Sequence, residues 1–438
     1  REAALAALER AVESWARANL LGSSALTRIY TFGSYRLGVQ YPGSDIDTLF
    51  VFPLEHCDRL TTFAQIVRIL EKRPEVTHLN SIPDAHVPVI KMNIGDVQID
   101  LLLAQMSSSL IGQAPSELSD EHVKNLDLKC VLSLNGCRVT DKILTLVPNI
   151  PHFRLALIAI KFWAKCRNIY SNVIGFLGGV SWAILVALIC QLYPNALPNT
   201  LVMKFFRVYS HWKWPNPVKI ASIKEFPDGH SVWNPKAYPK DRTHLMPIIT
   251  PAYPAMNSSF NVGASSLQVL KTEFSVALAK CLRIEGARQP WHTLFEPADF
   301  FSDYELFLQI DLYCGVPDLL AKWQSRVESR IRVFVALLEK QPSVVLARPF
   351  PGAIPWPAST SALVSSSFFL ALQPREEAVT HADLVFPITE FQNTLLQWAQ
   401  YTDSMRIYIR AVTRSQLPPH VHNEHKGLLT IFQAVSKA

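Results

Sequence analysis

The sequence predicts an α+β protein of several domains, and three patterns along the chain support that prediction. The first hundred residues alternate helical stretches with short apolar runs that contain aspartates. The middle of the chain is mainly helical, and the last third orders its elements as β-α-β-β-α-β. With 438 residues and 49% hydrophobic content, the chain can bury more than one core. We therefore expect units at 1–108, 109–297 and 298–438.

The charge distribution agrees with these boundaries. Residues 1–108 hold 10 Lys and Arg against 12 Asp and Glu, residues 109–297 hold 20 against 11, and residues 298–438 hold 12 against 13. The net charge of +6 is therefore concentrated in the middle unit. An RNA backbone or a triphosphate would benefit from that charge, although a solvated basic surface is the alternative for any single lysine.

Two aspartates open an apolar strand in the first unit. Asp45 and Asp47 flank Ile46, so their side chains share one face of the strand. Asp100 is a lone carboxylate in the alternating apolar run 97–103, where a divalent cation would remove the cost of burying it. An isolated D-x-D more often forms a solvated turn, and Asp96 is the alternative third ligand. The pattern as a whole predicts a two-metal site for nucleotidyl transfer.

A glycine turn precedes these aspartates. Gly33 permits close approach of the backbone to a phosphate, and Ser34 offers a hydroxyl. An ordinary strand-to-helix cap is the alternative for this segment. Neither a Walker A motif nor a G-x-G-x-x-G follows, so the pattern favours phosphate binding of a different type.

The chain closely resembles eukaryotic nuclear poly(A) polymerases, within the DNA polymerase beta-like nucleotidyltransferase superfamily. The resemblance covers the first two units strongly and the third more weakly. It implies a polymerase beta-like nucleotidyltransferase domain, a mainly helical central domain and a C-terminal RNA-recognition-like βαββαβ domain. The segments that carry it are FGSYRLG at 32–38, GSDIDT at 43–48, PDA at 83–85, LNG at 134–136, RVTD at 138–141, GGVSWA at 178–183, QLYPNA at 191–196 and MPIITPAYP at 246–254.

The third unit is expected to have the element order of an RNA-recognition-like fold. No aromatic RNP signature stands on the expected strands, so its RNA contacts are not evident from the sequence. The expected strands are Tyr304–Tyr313, Val344–Leu346, Ser366–Leu372 and Met405–Val412, and the expected helices are Leu319–Leu338 and Phe391–Tyr401.

The resemblance implies an ATP pocket built from the first two units. Lys161 and Lys165 lie one helical turn apart, so both can reach one triphosphate, although paired lysines on a basic helix are commonplace. Val180 would give the adenine an apolar surface. The catalytic and metal-binding residues are expected to be Asp45, Asp47 and Asp100. The expected nucleotide-binding residues are Phe32, Gly33, Ser34, Tyr41, Asn135, Lys161, Lys165, Tyr170, Asn172, Gly179, Val180 and Met256.

The resemblance also implies RNA contacts at His86, Lys91 and Asn261. His86 replaces a residue that is usually phenylalanine in the family, so its stacking on the primer would be weaker and sensitive to pH. Gly263 stands where the family generally has Ser or Thr near the adenine. That change removes a hydroxyl from base selection.

The sequence thus predicts a template-independent polynucleotide adenylyltransferase that extends RNA 3′ ends with ATP and releases pyrophosphate. Two Mg²⁺ ions are the expected cofactors, with Mn²⁺ as a substitute. The expected setting is the nucleus, where a monomer would act on pre-mRNA together with 3′-end cleavage and polyadenylation factors. The alternatives are a terminal transferase that prefers another base, such as uridine, and a non-catalytic RNA-binding scaffold.

No membrane association is expected. The uncharged stretch from Val173 to Cys190 is divided by glycines, and the helix that remains, Val180–Leu192, is shorter than the ~20 residues that a bilayer requires. A buried core helix is the better interpretation. The charged opening helix is not typical of a signal peptide, and seven cysteines without a C-x-x-C pair indicate a reducing compartment.

Overall fold

The structure is a computed structural model that describes residues 1–20, 27–55, 58–83, 85, 87–115, 117–356, 364–375 and 379–423. Helices and strands both contribute, and they follow the predicted order of a mixed unit, a helical unit and a βαββαβ unit. The α+β class predicted from the sequence is therefore confirmed.

A five-stranded sheet forms the centre of the first unit. Its strands lie in the order β1-β2-β5-β4-β3, with β2 and β5 parallel and the other neighbours antiparallel. The strands are β1 (Arg28–Phe32), β2 (Ile46–Pro53), β3 (Val76–Ile82), β4 (Val89–Ile94) and β5 (Val97–Met106). The helices of this unit are α1 (Glu2–Asn19), α2 (Gly33–Leu37) and α3 (Arg59–Glu71).

Strand β2 is buried on both faces. Phe50 and Phe52 pack beneath Trp15 of α1, with ring centroids 5.5 and 5.7 Å from the indole. Leu49 and Val51 face a second core that includes the start of the helical unit. Because both faces are packed, the position of β2 is well determined, and the aspartates at its beginning are held with it.

The middle unit is mainly helical, as predicted. The uncharged stretch forms helix α7, whose residues are largely buried, so the prediction of a core helix is confirmed. Its helices are α4 (Asp120–Lys124), α5 (Leu128–Leu146), α6 (Ile150–Cys166), α7 (Gly179–Leu192), α8 (Pro198–Ser210), α9 (Pro239–Arg242) and α10 (Ala264–Glu285). Among the described residues, no single helix is long and apolar enough to cross a membrane, although α5 and α6, bent by 118° at their junction, pass that test as a pair.

The third unit has a sheet in the order β10-β6-β9-β7, with antiparallel neighbours throughout. The four strands and two helices of the predicted βαββαβ order are all present. Its elements are α11 (Phe300–Asp303), β6 (Leu306–Cys314), α12 (Pro317–Leu338), β7 (Val344–Pro349), β8 (Ile354–Pro355), β9 (Val364–Pro374), α13 (His381–Leu396), β10 (Arg406–Thr413) and α14 (Pro419–Asn423).

One helix of the third unit differs from its predicted bounds. The sequence predicts a helix over Phe391–Tyr401, whereas α13 begins at His381 and ends at Leu396. A capping box explains the earlier start, because Thr380 and Asp383 bond each other's backbone N–H groups. Pro387 inside this helix is a residue that ordinarily signals a break, and here it does not end the helix.

The helical unit and the third unit share one hydrophobic core, which continues from α6 and α10 into α12 and α13. Polar contacts join the two units at the start of α10. Glu339 accepts a hydrogen bond from the Ser265 backbone N–H at 2.7 Å, and the Ser265 hydroxyl accepts one from the Ala347 N–H at 3.0 Å. The third unit therefore supplies the carboxylate that caps α10.

Candidate active site

The three predicted aspartates lie together at one end of the first sheet. In the parallel pair β2–β5, Asp47 stands directly opposite Asp100, and Asp45 immediately precedes β2. Carboxylate oxygens of all three lie within 4.8 Å of one another. Asp96 lies in the turn between β4 and β5 and does not belong to this group. The structure thus gathers the carboxylates that the sequence singled out.

Burial and neighbouring negative charges raise the pKa of two carboxyl groups in the triad, those of Asp47 and Asp100. Burial, with the charges of Asp45 and Asp100 adding to it, raises the pKa of Asp47 to about 7. Burial also raises the pKa of Asp100, and the neighbouring Lys91 ammonium opposes that rise. A cluster that resists carrying its full negative charge has a high affinity for a cation. Oxygen donors of this kind suit Mg²⁺ or another hard divalent ion.

Lys91 is the counter-ion of Asp100. The two residues stand opposite each other in the antiparallel pair β4–β5, and the ammonium group bonds Asp100 Oδ2. The resemblance implied a primer contact for Lys91. In the structure, Lys91 lies beside the triad because it is paired with Asp100 on the neighbouring strand.

Gly33 cannot be replaced without displacing Asp47. Its φ is +60°, in the left-handed region, and a Cβ at this position would lie 2.1 Å from Asp47 Oδ2. The Gly33 N–H donates to the Thr140 hydroxyl at 3.2 Å, which ties the turn to α5. Gly33, which the sequence associated with phosphate binding, therefore also allows the backbone to lie directly against Asp47, because it has no side chain.

A cavity of about 670 Å³ opens between the triad and the helical unit. That volume lies in the range of small-molecule binding sites. The predicted residues that line it are Phe32, Gly33, Ser34, Asp45, Asp47, Asn135, Lys161, Lys165, Tyr170, Gly179 and Val180. Polar lining residues that the sequence analysis did not identify are Ser44, Gln98, Thr140 and Thr250. Ser44, Thr140 and Thr250 lie within the GSDIDT, RVTD and MPIITPAYP segments that carry the resemblance, which was the available signal.

Lys161 and Lys165 line the cavity from one face of α6. Lys161 is 4% exposed, and its Nζ donates to the Val39 carbonyl oxygen at 3.2 Å. Both ammonium groups lie over the Tyr41 ring, 5.5 and 4.8 Å from its centroid. Burial and the neighbouring Lys165 lower the pKa of Lys161 to about 8, against the pull of the aspartates. Burial lowers the pKa of Lys165 as well.

Carboxylates at one end of the cavity, with the buried Lys161 and half-buried Lys165 ammonium groups on its wall, suit a metal-bound polyphosphate. The chain matches three family models: "Poly(A) polymerase nucleotidyltransferase domain" over residues 1–147, "Poly(A) polymerase central domain" over 152–297, and "Poly(A) polymerase predicted RNA binding domain" over 299–357 and 355–427. The chain belongs to the poly(A) polymerase family.

Curated poly(A) polymerases align with nearly the whole chain. Nuclear poly(A) polymerase 1 of Arabidopsis thaliana is 44% identical over 434 residues, which cover 96% of this chain and 60% of that protein. Poly(A) polymerase of Dictyostelium discoideum is 43% identical over 444 residues, covering 97% and 54%. The chain thus spans little more than half the length of these relatives. A solved structure titled "Structural Basis for the Activity of a Cytoplasmic RNA Terminal U-transferase" aligns with 68% of this chain and 92% of its own, at 19% identity and a TM-score of 0.47.

Three residues expected to bind nucleotide in a poly(A) polymerase do not line the cavity itself. Tyr41 lies under the two lysines, and its hydroxyl donates to the Ile158 carbonyl oxygen at 2.6 Å. Met256 donates its N–H to the hydroxyl of Thr250, which does line the cavity. Asn172 packs against Gly178, where a Cβ would come within 3.2 Å of the Asn172 Cβ. Its Oδ1 is buried and has no hydrogen-bond partner among the described residues.

Asn261 connects Asn172 to the third unit. Its side-chain Nδ2 donates to the Asn172 carbonyl oxygen at 3.1 Å, and its Oδ1 accepts a hydrogen bond from Arg332 of α12. A guanidinium group can only donate, so Arg332 determines which end of the amide faces Asn172. The resemblance implies a primer contact at Asn261, and no local sequence pattern indicates this link to Arg332.

Gly263 and His86 are the two positions at which the sequence departs from the usual residues of poly(A) polymerases. Gly263 is the N-cap of α10, and a Cβ there would lie 3.4 Å from the Glu339 carboxylate, so this residue faces the third unit and does not line the cavity. His86, the expected stacking residue, lies outside the described residues.

Proposed function

We propose that this protein is a template-independent polynucleotide adenylyltransferase that transfers AMP from ATP to RNA 3′ ends and releases pyrophosphate. The observation that supports it best is the carboxylate triad, gathered within 4.8 Å at a cavity that also holds Lys161 and Lys165. Membership of the poly(A) polymerase family supports ATP and RNA as the substrates. The presence of the triad and both lysines favours catalysis over a non-catalytic scaffold.

In this proposal the carboxylates bind two Mg²⁺ ions, for which Mn²⁺ can substitute. Asp45 and Asp47 would hold both ions, and Asp100 would complete the site beside the RNA 3′-hydroxyl. When bound, the ions lower the pKa of that hydroxyl and stabilise charge on the leaving pyrophosphate. The Lys91 ammonium favours the charged form of Asp100 and so opposes the rise in its pKa that burial causes.

The remaining wall of the cavity orients the nucleotide. Lys161 and Lys165 neutralise the triphosphate, and Ser34 offers it a hydroxyl. Gly179 and Val180 begin α7 and present an apolar surface to the base, while Tyr170 and Asn135 complete the pocket. His86, Lys91 and Asn261 are proposed to contact the primer.

We also propose the setting. The three units divide at about residues 108 and 297, and the protein acts in the nucleus as a monomer, on pre-mRNA and with 3′-end processing factors. The names of the Arabidopsis relatives support the nuclear assignment.

A primer-extension assay tests the function. With an oligoadenylate primer and Mg²⁺, ATP should support extension at a higher kcat/KM than GTP, CTP or UTP offered separately. Faster incorporation of UTP would contradict the proposal in favour of a terminal uridylyltransferase. Failure to extend with any nucleotide, in the presence of either Mg²⁺ or Mn²⁺, would favour the scaffold.

Asn172 is predicted to contribute to base selection. A buried amide oxygen without a partner can accept a hydrogen bond from the adenine amino group, which guanine lacks at that position. Asn172→Ala should therefore lower kcat/KM for ATP more than for GTP, reducing the ATP/GTP ratio by about ten- to a hundredfold. The measurement is kcat/KM for both nucleotides on one primer.

Gly263→Thr serves as the comparison. Because Gly263 is the N-cap of α10 beside Glu339, a threonine there should preserve the ATP/GTP ratio and change the stability of the helix terminus little, since threonine and glycine are similar N-cap residues. An unchanged ratio in Asn172→Ala would remove that residue from the selectivity argument.

Lys91 is predicted to contribute to primer affinity. If basic side chains contact the RNA phosphates, affinity for an oligoadenylate should fall steeply with salt. Lys91→Ala should then reduce the slope of log affinity against log salt concentration by about one or less. Lys72→Ala, which removes an exposed lysine beyond the end of α3, should leave the slope unchanged. Primer affinity that is independent of salt would refute this role for charge.

A further inference from the structure

The sheet of the third unit is divided on the face away from its helices. On one face, Ile310, Leu312 and Leu370 pack against α12 and α13 in the large shared core. On the other face, the half that contains Phe307 and Val412 is covered by Phe300, Phe301 and Phe350 in a core of its own. The opposite half of that face carries polar and aromatic side chains.

We call this polar half the tyrosine platform, formed by Tyr313 of β6 and by Arg406, Tyr408 and Arg410 of β10. The strand register places Arg406 opposite Tyr313 and Tyr408 opposite Asp311. Tyr408 shares its face with Val412, four residues on, which confirms the orientation. Tyr408 is 54% exposed, and its ring centroid lies 5.8 Å from that of Tyr313 with the planes at 74°. An edge-to-face pair leaves ring surface available for stacking.

The platform presents positive charge to solvent. Arg406 and Arg410 flank Tyr408 at two residues on either side, and both are exposed. Among the strand residues of this half-face that the structure describes, Asp311 is the single carboxylate, and it is 4% exposed. It accepts hydrogen bonds from the side chains of Gln309 and Ser367 and lies 3.5 Å from Arg410 Nε. The carboxylate therefore positions the arginine from below, while the guanidinium groups face outward.

Flat rings beside arginines on an extended surface suit single-stranded nucleic acid. Bases stack on aromatic and guanidinium planes without regard to sequence, and phosphates pair with the same guanidinium groups. A protein partner would need a larger apolar contact, and the apolar half of this face is already covered. The charge and the ring surfaces together favour RNA.

We propose that the tyrosine platform is a second RNA site, in which bases stack on Tyr408 and Tyr313 and phosphates contact Arg406 and Arg410. Most of the platform lies on β10, at the edge of the sheet opposite β7. Because β7 is the strand that contacts α10 of the helical unit, the platform is distinct from the catalytic cavity. Resting on the proposed function, we assign to it the RNA upstream of the growing 3′ end. Long RNA would then bind at two places and short RNA at one, which raises the affinity of long RNA through effective concentration.

Binding to the full chain without ATP or metal tests the site directly. The probe is a fluorescently labelled oligoadenylate long enough to reach beyond the cavity, and fluorescence anisotropy gives its Kd. Tyr408→Ala should weaken binding about fivefold or more, and Tyr408→Phe should restore it, because stacking needs the ring. Arg410→Gln should reduce the slope of log affinity against log salt concentration by about one or less. Tyr238→Ala, which removes a 42%-exposed tyrosine from the helical unit, is the matched control and should have no effect.

Extension assays separate this inference from the proposed function. In Tyr408→Ala, KM should rise for a long primer, whereas KM for ATP and extension of a primer that only fills the cavity should remain as in the wild type. If no extension occurs at all but Tyr408→Ala still loses RNA affinity, the adenylyltransferase proposal fails and the platform stands. Equal RNA affinity of the wild type, Tyr408→Ala and Arg410→Gln would overturn the proposal that the platform binds RNA. A surface that binds a protein partner instead would give that result.

Discussion

Asp47→Asn should reduce primer extension by more than about a thousandfold while leaving the protein folded. Asp47 faces Asp100 across the parallel strand pair, and the three carboxylates converge within 4.8 Å, so neutralising the central one removes a ligand that both proposed metals share. Asparagine has nearly the same shape, so the packing of β2 should not change. The measurement is kcat on an oligoadenylate primer with Mg²⁺ and ATP.

Thermal unfolding provides a control that does not depend on activity. Mg²⁺ or Mn²⁺ should raise the Tm of the wild type, because a ligand of the native state stabilises it, and should raise that of Asp47→Asn much less. Without metal, the variant should be at least as stable as the wild type, since it has lost one of several crowded negative charges. Asp96→Asn is the matched variant, because Asp96 lies in the β4–β5 turn outside the triad, and it should retain activity. Near-wild-type extension by Asp47→Asn would disprove the metal assignment.

Lys161→Met should weaken ATP binding about thirtyfold or more. The ammonium is buried on the wall of the cavity, where its interaction with a triphosphate would be poorly screened by water. Methionine keeps most of the side-chain volume and removes the charge. The Kd of ATP, measured by calorimetry, reports the loss, and kcat at saturating ATP should fall less than kcat/KM.

The same lysine predicts a pH dependence. The pKa of Lys161 in the free protein is about 8, below the ordinary value for lysine, because burial and Lys165 disfavour the charged form. In the proposed function ATP binding depends on the ammonium, so the wild-type affinity should be full below pH 8 and should fall by up to tenfold per pH unit above it. In Lys161→Met the affinity should be weak at every pH, without that decline.

Lys204→Met provides the matched control for the charge. Lys204 also lies over a tyrosine ring, 5.1 Å from the centroid of Tyr193, but on α8 and outside the cavity. Its replacement should leave both the ATP affinity and the pH profile of the wild type. A wild-type profile that stays flat from pH 7 to well above 8 would show that Lys161 remains protonated or does not contact the triphosphate.

Local periodicity explains why much of the site could be predicted. Alternation along a strand places Asp45 and Asp47 on one face whatever β2 packs against, and the helical repeat does the same for Lys161 and Lys165. The element order of the third unit follows from similar patterns. The bounds of α13 were the exception, because its start depends on a side-chain cap that outweighs the breaking tendency of Pro387.

Contacts between residues distant in sequence required the structure. The ion pair of Lys91 with Asp100 depends on the register of β4 with β5, and the position of Asp100 beside Asp47 depends on β2 and β5 being parallel neighbours. The 2.1 Å approach that excludes a side chain at Gly33 depends on the register of β1 with β2, which pairs Phe32 with Asp47. A one-residue slip in any of these strands would preserve the sequence pattern and turn the side chain to the opposite face.

Residue types and short-range spacing specify the kinds of element and the chemistry of the ligands, and the resemblance specifies the family. Long-range packing places Gly263 against Glu339, lets Arg332 orient Asn261, and brings Tyr313 and Tyr408 together as an edge-to-face pair. The two tyrosines are 95 positions apart in the sequence and lie on strands whose pairing no local pattern specifies. Such juxtapositions arise when whole units pack, since burial of apolar surface selects the arrangement of the elements and the polar side chains are carried with them.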